Sequence, residues 1–240
     1  LKKIVSHIFF VWFALCFAGL FLAFYPLFLI FLAHSFLYPV ANFLRRIWAW
    51  LVLVLGLSFP LYKRYKAPIS HPCIYVANHA SYLDIVAFGL FFPLKSCFMA
   101  KAELAKIPLF GIFFRTVDIA VERQSLRGSH RSFISAAERL DQGYNVIVFP
   151  EGTISSHAPQ MKSFKNGAFK LAIEKGVSIV PVTFYNNFKI LPDEKFQFYP
   201  QFLKFKIHRP ISTNHLNIEQ ADELKTKIYR IIEDDLKFIK

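Results

Sequence analysis

An α/β fold, a mostly parallel or mixed sheet flanked by helices and preceded by an apolar helical hairpin, is what this 240-residue chain predicts. Three observations carry that expectation. The chain opens on a long stretch almost without charge. From Tyr62 onward, short apolar runs alternate with longer mixed ones, the pattern of strands exchanging with helices. Gly143 and Gly176 follow two of the mixed runs, where a helix ending in a left-handed residue wants glycine.

The N-terminal part comes first. Between Lys3 and Arg45 the only titratable bases are His7 and His34, and Ile8 to Ala33 is apolar nearly throughout. As a helix that run measures roughly 39 Å, enough to cross a bilayer core of ~30 Å with tilt. It is too long for the ~7–15-residue apolar part of a signal peptide. The next apolar run, Ile47 to Leu61, covers only about 22 Å. A hairpin that dips into one leaflet and returns therefore competes with two full spans. Arg45 and Arg46 are expected at its turn, with Lys2, Lys3, Lys63, Arg64 and Lys66 at its open end, and positive charge there orients the remainder toward the cytosol. Residues 1–61 are thus expected as a membrane-embedded two-helix hairpin and residues 62–240 as the α/β domain. The chain begins at Leu1 without a methionine, so an incomplete N-terminus is expected.

Composition narrows the partners. With 29 Lys and Arg against 16 Asp and Glu, the formal charge is +13, and it accompanies 55% hydrophobic residues including 29 Phe. A nucleic-acid binder would be as basic, but long uncharged segments and the lack of finger, basic-zipper or RNA-binding signatures argue against one. An anionic membrane surface fits both the charge and the grease. Cys16, Cys73 and Cys97 are scattered and odd in number, which suggests neither a disulfide framework nor a zinc site. The reducing cytosolic side is the natural home for them.

Along the domain, strands are expected at Cys73–Ala77, Cys97–Ala100, Asp118–Val121, Asn145–Phe149, Ser178–Phe184 and Leu203–His208. Helices are expected at Tyr82–Phe91, Ser129–Asp141, Phe164–Lys175 and Glu219–Ile239. Ligand sites of open α/β sheets gather where strands end, and two such ends are rich in chemistry.

In "VANHASYLDI", Val76 to Ile85, His79 leaves a strand and Asp84 enters a helix. Histidine is the side chain suited to move a proton near neutral pH, and a carboxylate can fix its tautomer and stabilise the imidazolium. The alternative is that Asn78 or Ser81 caps the helix, Asp84 meets its positive end and His79 is incidental. Ser81 as a nucleophile lacks the G-x-S-x-G elbow. The remaining histidines have no companion carboxylate cluster, so no metal is expected. In "VIVFPEGTISS", Val146 to Ser156, Glu151 can accept a hydrogen bond from a substrate hydroxyl and Gly152 lets a ligand approach the backbone; an ordinary Pro-Glu-Gly turn is the alternative. Lys101 and Arg123 offer charge to an anionic headgroup, Arg123 the better for following a strand closely.

Taken in order, "NHASYLD", "AKAELAKIPLFG", "DIAVER", "FPEGTIS" and "IVPV" resemble the glycerolipid acyltransferase family, most closely its lysophosphatidic acid acyltransferases, over roughly Tyr75 to Val182. The resemblance implies that His79 deprotonates a lysolipid hydroxyl, that Asp84 orients and supports it, and that the hydroxyl attacks an acyl thioester directly. It implies that Ser81, Lys101, Arg123, Glu151, Gly152 and Thr153 serve the acceptor. The implied co-substrate is acyl-CoA or acyl carrier protein, with no bound cofactor and no metal. The implied location is the cytosolic side of a membrane, the cytoplasmic membrane in a bacterium. One departure is visible: the family's F-P-E-G-T-R-S commonly carries arginine where this chain has Ile154. Lys162 or Lys165 can compensate, or the acceptor is another lysolipid, such as an ornithine-type lipid or one in phospholipid remodelling. A non-enzymatic membrane-binding module and a hydrolase using the same histidine complete the alternatives.

Overall fold

The computed structural model describes residues 1–122, 125–193 and 195–237. Two helices come first, α1 (Lys2–Phe31) and α2 (Tyr38–Leu55), joined by a 3-10 turn at Ser35–Leu37. Seven strands follow: β1 (Pro60–Arg64), β2 (Ile74–Ala77), β3 (Ser96–Lys101), β4 (Ile119–Val121), β5 (Asn145–Val148), β6 (Ile179–Phe184) and β7 (Leu203–Ile207). They form one sheet in the order β1-β7-β6-β2-β5-β3-β4. Every pairing is parallel except β6 with β7. Because the strands around β2 run parallel, their carboxyl ends share one edge.

All residues of β2 and β6 are buried, as strands covered on both faces must be. Ile74 and Val76 pack with Val146, Phe169, Leu224 and Ile228 on one side. Tyr75 and Ala77 point the other way, to Phe88, Ile147 and Val182. The first face is covered by α5 (Leu126–Asp141), α6 (Gly167–Glu174) and α8 (Ala221–Lys237). The second is covered by α3 (Leu83–Gly89) and the end of α2. Two single-turn helices, α4 (Ile112–Arg115) and α7 (Asn187–Ile190), complete the set.

The six expected strands and four expected helices of the domain are present within a few residues of their expected bounds; the last residues of Glu219–Ile239 lie outside the described residues. Gly143 and Gly176 take the positive φ expected of helix ends. β1 escaped sequence reading because its exposed "LYKR" carries charge rather than apolar alternation. It is an edge strand, and charge on an edge blunts unwanted pairing.

The N-terminal helices differ from the expected hairpin in a specific way. Only α1 is long and apolar enough to cross a membrane among the described residues. The second helix covers Tyr38–Leu55 rather than Ile47–Leu61, so Arg45 and Arg46 lie within it and not at the turn. Arg45 makes a two-pronged ion pair with buried Asp118, at 3.2 and 2.9 Å, beneath the rings of Phe98 and Phe113. Asn42, one turn earlier, donates to the carbonyls of Leu94 and Ser96, and Arg46 donates to that of Phe92. This polar stripe binds α2 to the domain. Sequence reading missed it because two arginines beside an apolar run look like a membrane-flanking cluster until their partners, more than forty residues away, are placed.

Candidate active site

At the carboxyl end of β2 the chain turns through Asn78 to Ser81 into α3. Asn78 anchors the turn to the neighbouring strand: its amide donates to the Phe184 carbonyl at 2.9 Å and its oxygen accepts from the Phe184 N–H at 2.8 Å. Asp84, fully buried in the first turn of α3, then faces back along the turn. Its Oδ2 lies 3.0 Å from His79 Nδ1 and accepts from the N–H groups of Ala80 and Ser81 at 2.7 and 2.9 Å. Its Oδ1 accepts from Asn187 Nδ2 of α7 at 2.7 Å. The two sequence readings of Asp84 were therefore not exclusive, since one carboxylate both caps the turn and holds the imidazole.

With Nδ1 committed to a carboxylate, the hydrogen-bond pattern assigns the proton to that nitrogen. Nε2 is left with its lone pair, and among the described residues nothing bonds to it. The ring stacks on Phe149, centroids 4.1 Å apart and planes 19° off parallel. Its backbone is clamped as well: the His79 N–H donates to Glu151 Oε1 and its carbonyl accepts from the Ser155 N–H, both at 2.8 Å.

Glu151 follows β5, next to β2. Its second oxygen accepts from the Lys162 N–H at 2.8 Å, so both oxygens are spent on backbone donors and the residue is buried. Burial pushes its carboxyl up to about 7, against those two N–H bonds and the nearby His79, which favour the anion. A bond from Glu151 to a substrate hydroxyl, the expected role, competes with these commitments. Gly152 has φ +78, the left-handed backbone that glycine adopts without strain. Thr153 beside it is exposed.

The other expected site residues spread out. Ser81 is fully buried; its hydroxyl donates to the Leu191 carbonyl at 2.7 Å and accepts from the Leu83 N–H at 3.1 Å. Those bonds hold the turn. Lys101 ends β3 on the same sheet edge, two strands from β2, with its ammonium exposed and 3.3 Å from Glu103. Arg123 lies outside the described residues. Asn187 was missed, although a polar pair, Asn186 and Asn187, just past an expected strand end was a usable signal. Among the described residues no group of three or more His, Cys, Asp or Glu is arranged to hold a metal ion.

This arrangement, a histidine with one nitrogen bound to a buried carboxylate and the other open at a sheet edge, is suited to removing a proton from a bound hydroxyl. The acyltransferase family pattern matches residues 60–185. A 1-acyl-sn-glycerol-3-phosphate acyltransferase of Chlamydomonas reinhardtii is 34% identical over 160 residues, 65% of this chain and 46% of that protein. The Helicobacter pylori protein of the same name is 32% identical over 125 residues, 52% of this chain and 53% of its own length. A lyso-ornithine lipid O-acyltransferase of Pseudomonas aeruginosa is 31% identical over 150 residues, 62% and 57% respectively. The chain thus spans about half the length of the curated relatives it matches. The crystal structure of the 1-acyl-sn-glycerophosphate acyltransferase of Thermotoga maritima superposes with a TM-score of 0.81 at 25% identity, covering 99% of this chain and 97% of that one. With more than half of its length matching that pattern, and the edge histidine and its carboxylate inside the matched region, the chain belongs to the acyltransferase family.

Proposed function

We propose that this protein transfers a fatty acyl group from an acyl thioester to the free hydroxyl of a lysolipid, with lysophosphatidic acid as the acceptor and phosphatidic acid as the product. The observation that carries the proposal is the 3.0 Å contact between His79 Nδ1 and buried Asp84, with Nε2 open. Nε2 takes the hydroxyl proton as the oxygen attacks the thioester carbonyl. The tetrahedral intermediate then expels the thiolate, which takes the proton back from the imidazolium. Asp84 steadies that imidazolium and fixes its tautomer, Asn187 holds Asp84 from behind, and Glu151 positions the His79 backbone. No acyl-enzyme is required, and the donor is acyl-CoA or acyl carrier protein.

Membrane contact falls to residues 1–61 and chemistry to residues 62–240. Along α1, Ile4, Ile8, Val11, Leu15 and Leu22 are exposed. The opposite side docks on the domain over most of the helix: the Ser6 carbonyl accepts from the Phe198 N–H, Phe13 stacks on Phe198, and Phe21 and Phe28 pack on Phe113. From Ser6 to Phe28 that is roughly 33 Å of helix, as long as a bilayer core is thick. A helix bound to the protein along such a length favours lying in the interface with its apolar side down over spanning. The site then meets a lipid acceptor at the surface while the thioester arrives from the cytosol.

Purified protein is to be assayed beside His79→Ala with both donors and a panel of lysolipids. Loss of general-base catalysis predicts a turnover drop of ~10²–10⁴-fold, with the circular dichroism spectrum unchanged. Near-normal turnover by the variant refutes the mechanism. Ile154 and the lyso-ornithine lipid relative support a second acceptor; transfer to lyso-ornithine lipid alone keeps the chemistry and moves the substrate. Free fatty acid released without acceptor indicates a hydrolase instead.

A further inference from the structure

The segment after α7 leaves large apolar side chains in water that the chemistry does not use. Phe196 is 68% exposed and takes φ +48, a left-handed backbone that strains a phenylalanine where glycine adopts it freely. Phe202 is exposed as well, while Phe198 between them is buried. These rings are held in place. The Phe198 N–H donates to the Ser6 carbonyl of α1 at 3.0 Å, its ring stacks on Phe13 with centroids 4.4 Å apart, and Phe196 meets Phe10 edge-on at 5.6 Å. Toward the site, the Tyr199 N–H donates to the carbonyl of Ile190, the last residue of α7, and Asn186 Nδ2 donates to the Phe202 carbonyl, both at 2.8 Å. The same α7 supplies Asn187, which holds Asp84.

Strand order puts the segment at the sheet edge that carries His79. Because β7 runs antiparallel to β6 and β1 parallel to β7, β1 and β7 start where β2 and β6 end. The Leu203 N–H donates to the Phe59 carbonyl at 2.9 Å, which brings exposed Phe59 next to Phe202. Exposed Trp12 of α1 donates Nε1 to the Leu55 carbonyl at 2.7 Å and joins the same side. The apolar patch therefore continues the exposed side of α1, and exposed Lys2, Lys3, Lys195 and Lys204 surround it. Apolar and aromatic side chains in a basic frame suit the headgroup level of an anionic bilayer.

We propose that residues 195–202 form a second lipid-contacting element, with Phe196 and Phe202 inserted among the headgroups of the membrane that meets α1. The edge carrying His79 is thereby held against the source of its acceptor. The assignment rests on the membrane contact of α1 proposed above. Asp193 and Glu194 offset Lys189 and Lys195 in the sequence, so the hold of this segment is apolar and salt screens it little.

The test uses the full chain with Phe196→Cys or Phe202→Cys, labelled with an environment-sensitive nitrobenzoxadiazole dye. Cys16, Cys73 and Cys97 are buried, and the unsubstituted chain treated alike gives the background. Arg209→Cys, exposed past the other end of β7, is the reference. On vesicles of phosphatidylcholine and phosphatidylglycerol, dyes at 196 and 202 are expected to shift to the blue and to be quenched by spin-labelled lipid, in low and high salt alike. The dye at 209 is expected to stay unchanged. Phe196→Ser combined with Phe202→Ser is expected to lower the vesicle partition coefficient about tenfold, the effect of losing partly inserted aromatic side chains. Neither readout depends on turnover. Vesicle binding with silent dyes at 196 and 202, or a partition coefficient unmoved by the double substitution, overturns the assignment and leaves the α1 contact standing. Failure of the unsubstituted chain to bind vesicles overturns both. A blue shift that grows with protein concentration in the absence of vesicles assigns the rings to a second copy of the chain and overturns the proposal as well.

Discussion

The carboxyls at residues 84 and 151 show how burial assigns different work to two side chains at one sheet edge. Asp84 accepts hydrogen bonds from His79, Ala80, Ser81 and Asn187, which commits both its oxygens to holding the turn and the imidazole. Glu151 has two backbone donors, and burial pushes its carboxyl from 4.5 to about 7. The folded protein therefore holds a proton there that the unfolded chain has released between those two values. Stability from this group is complete below about pH 4.5 and declines as pH rises to about 7, by on the order of 3 kcal/mol. Urea midpoints measured across that window are expected to fall more steeply for the natural chain than for Glu151→Gln. Parallel curves would show that the carboxyl titrates as it does in the unfolded chain.

At the scale of elements, α2 decides how the N-terminal helices relate to the chemistry. Its Arg45 is bound to Asp118, which also accepts from the Phe98 N–H at 2.9 Å. One carboxylate thus joins α2, β3 and the residue before β4. Removing one partner of a buried pair leaves the other uncompensated, at a cost of about 3–5 kcal/mol. Arg45→Met is expected to lose that much in denaturant titrations. Adding Asp118→Asn removes the stranded charge and keeps an acceptor for Phe98, so much of the loss is expected to return. A double variant no more stable than Arg45→Met would mean that the cost came from lost packing of the guanidinium between rings.

For the molecule as a whole, a formal charge of +13 and an exposed apolar side of α1 act together. Basic residues near an anionic leaflet contribute ~1 kcal/mol each, while buried apolar area supplies the rest. Ile8 and Leu15, two turns apart and 62% and 64% exposed, are the places to test this. The double variant Ile8→Glu, Leu15→Glu is expected to fold normally and to stop floating with anionic vesicles in a density gradient. High salt is expected to weaken flotation of the natural chain only in part, since the apolar contribution is not screened. Undiminished flotation of the double variant would place the membrane-contacting side elsewhere.

The legible parts of this protein were those encoded by near neighbours. Apolar runs such as Asn145–Val148 and Ile179–Phe184 declared the strands, and amphipathic runs the helices over them. A spacing of five positions announced that His79 and Asp84 belong together, because local spacing sets their separation. The sequence alone also pointed to Glu151 and Gly152 as neighbours of that pair. Tertiary structure alone decided what these residues are bonded to. Asn187 reaches Asp84 across 103 positions, Glu151 reaches His79 across 72, and Arg45 finds Asp118 across 73. Hydrogen bonds between such distant residues depend on strand order, which no local pattern encodes. For the same reason Ser81 read as a substrate contact, although the folded chain uses its hydroxyl to bind the Leu191 carbonyl. Arg45 and Arg46 likewise read as a membrane-flanking cluster, although folding brings them to Asp118 and to the Phe92 carbonyl.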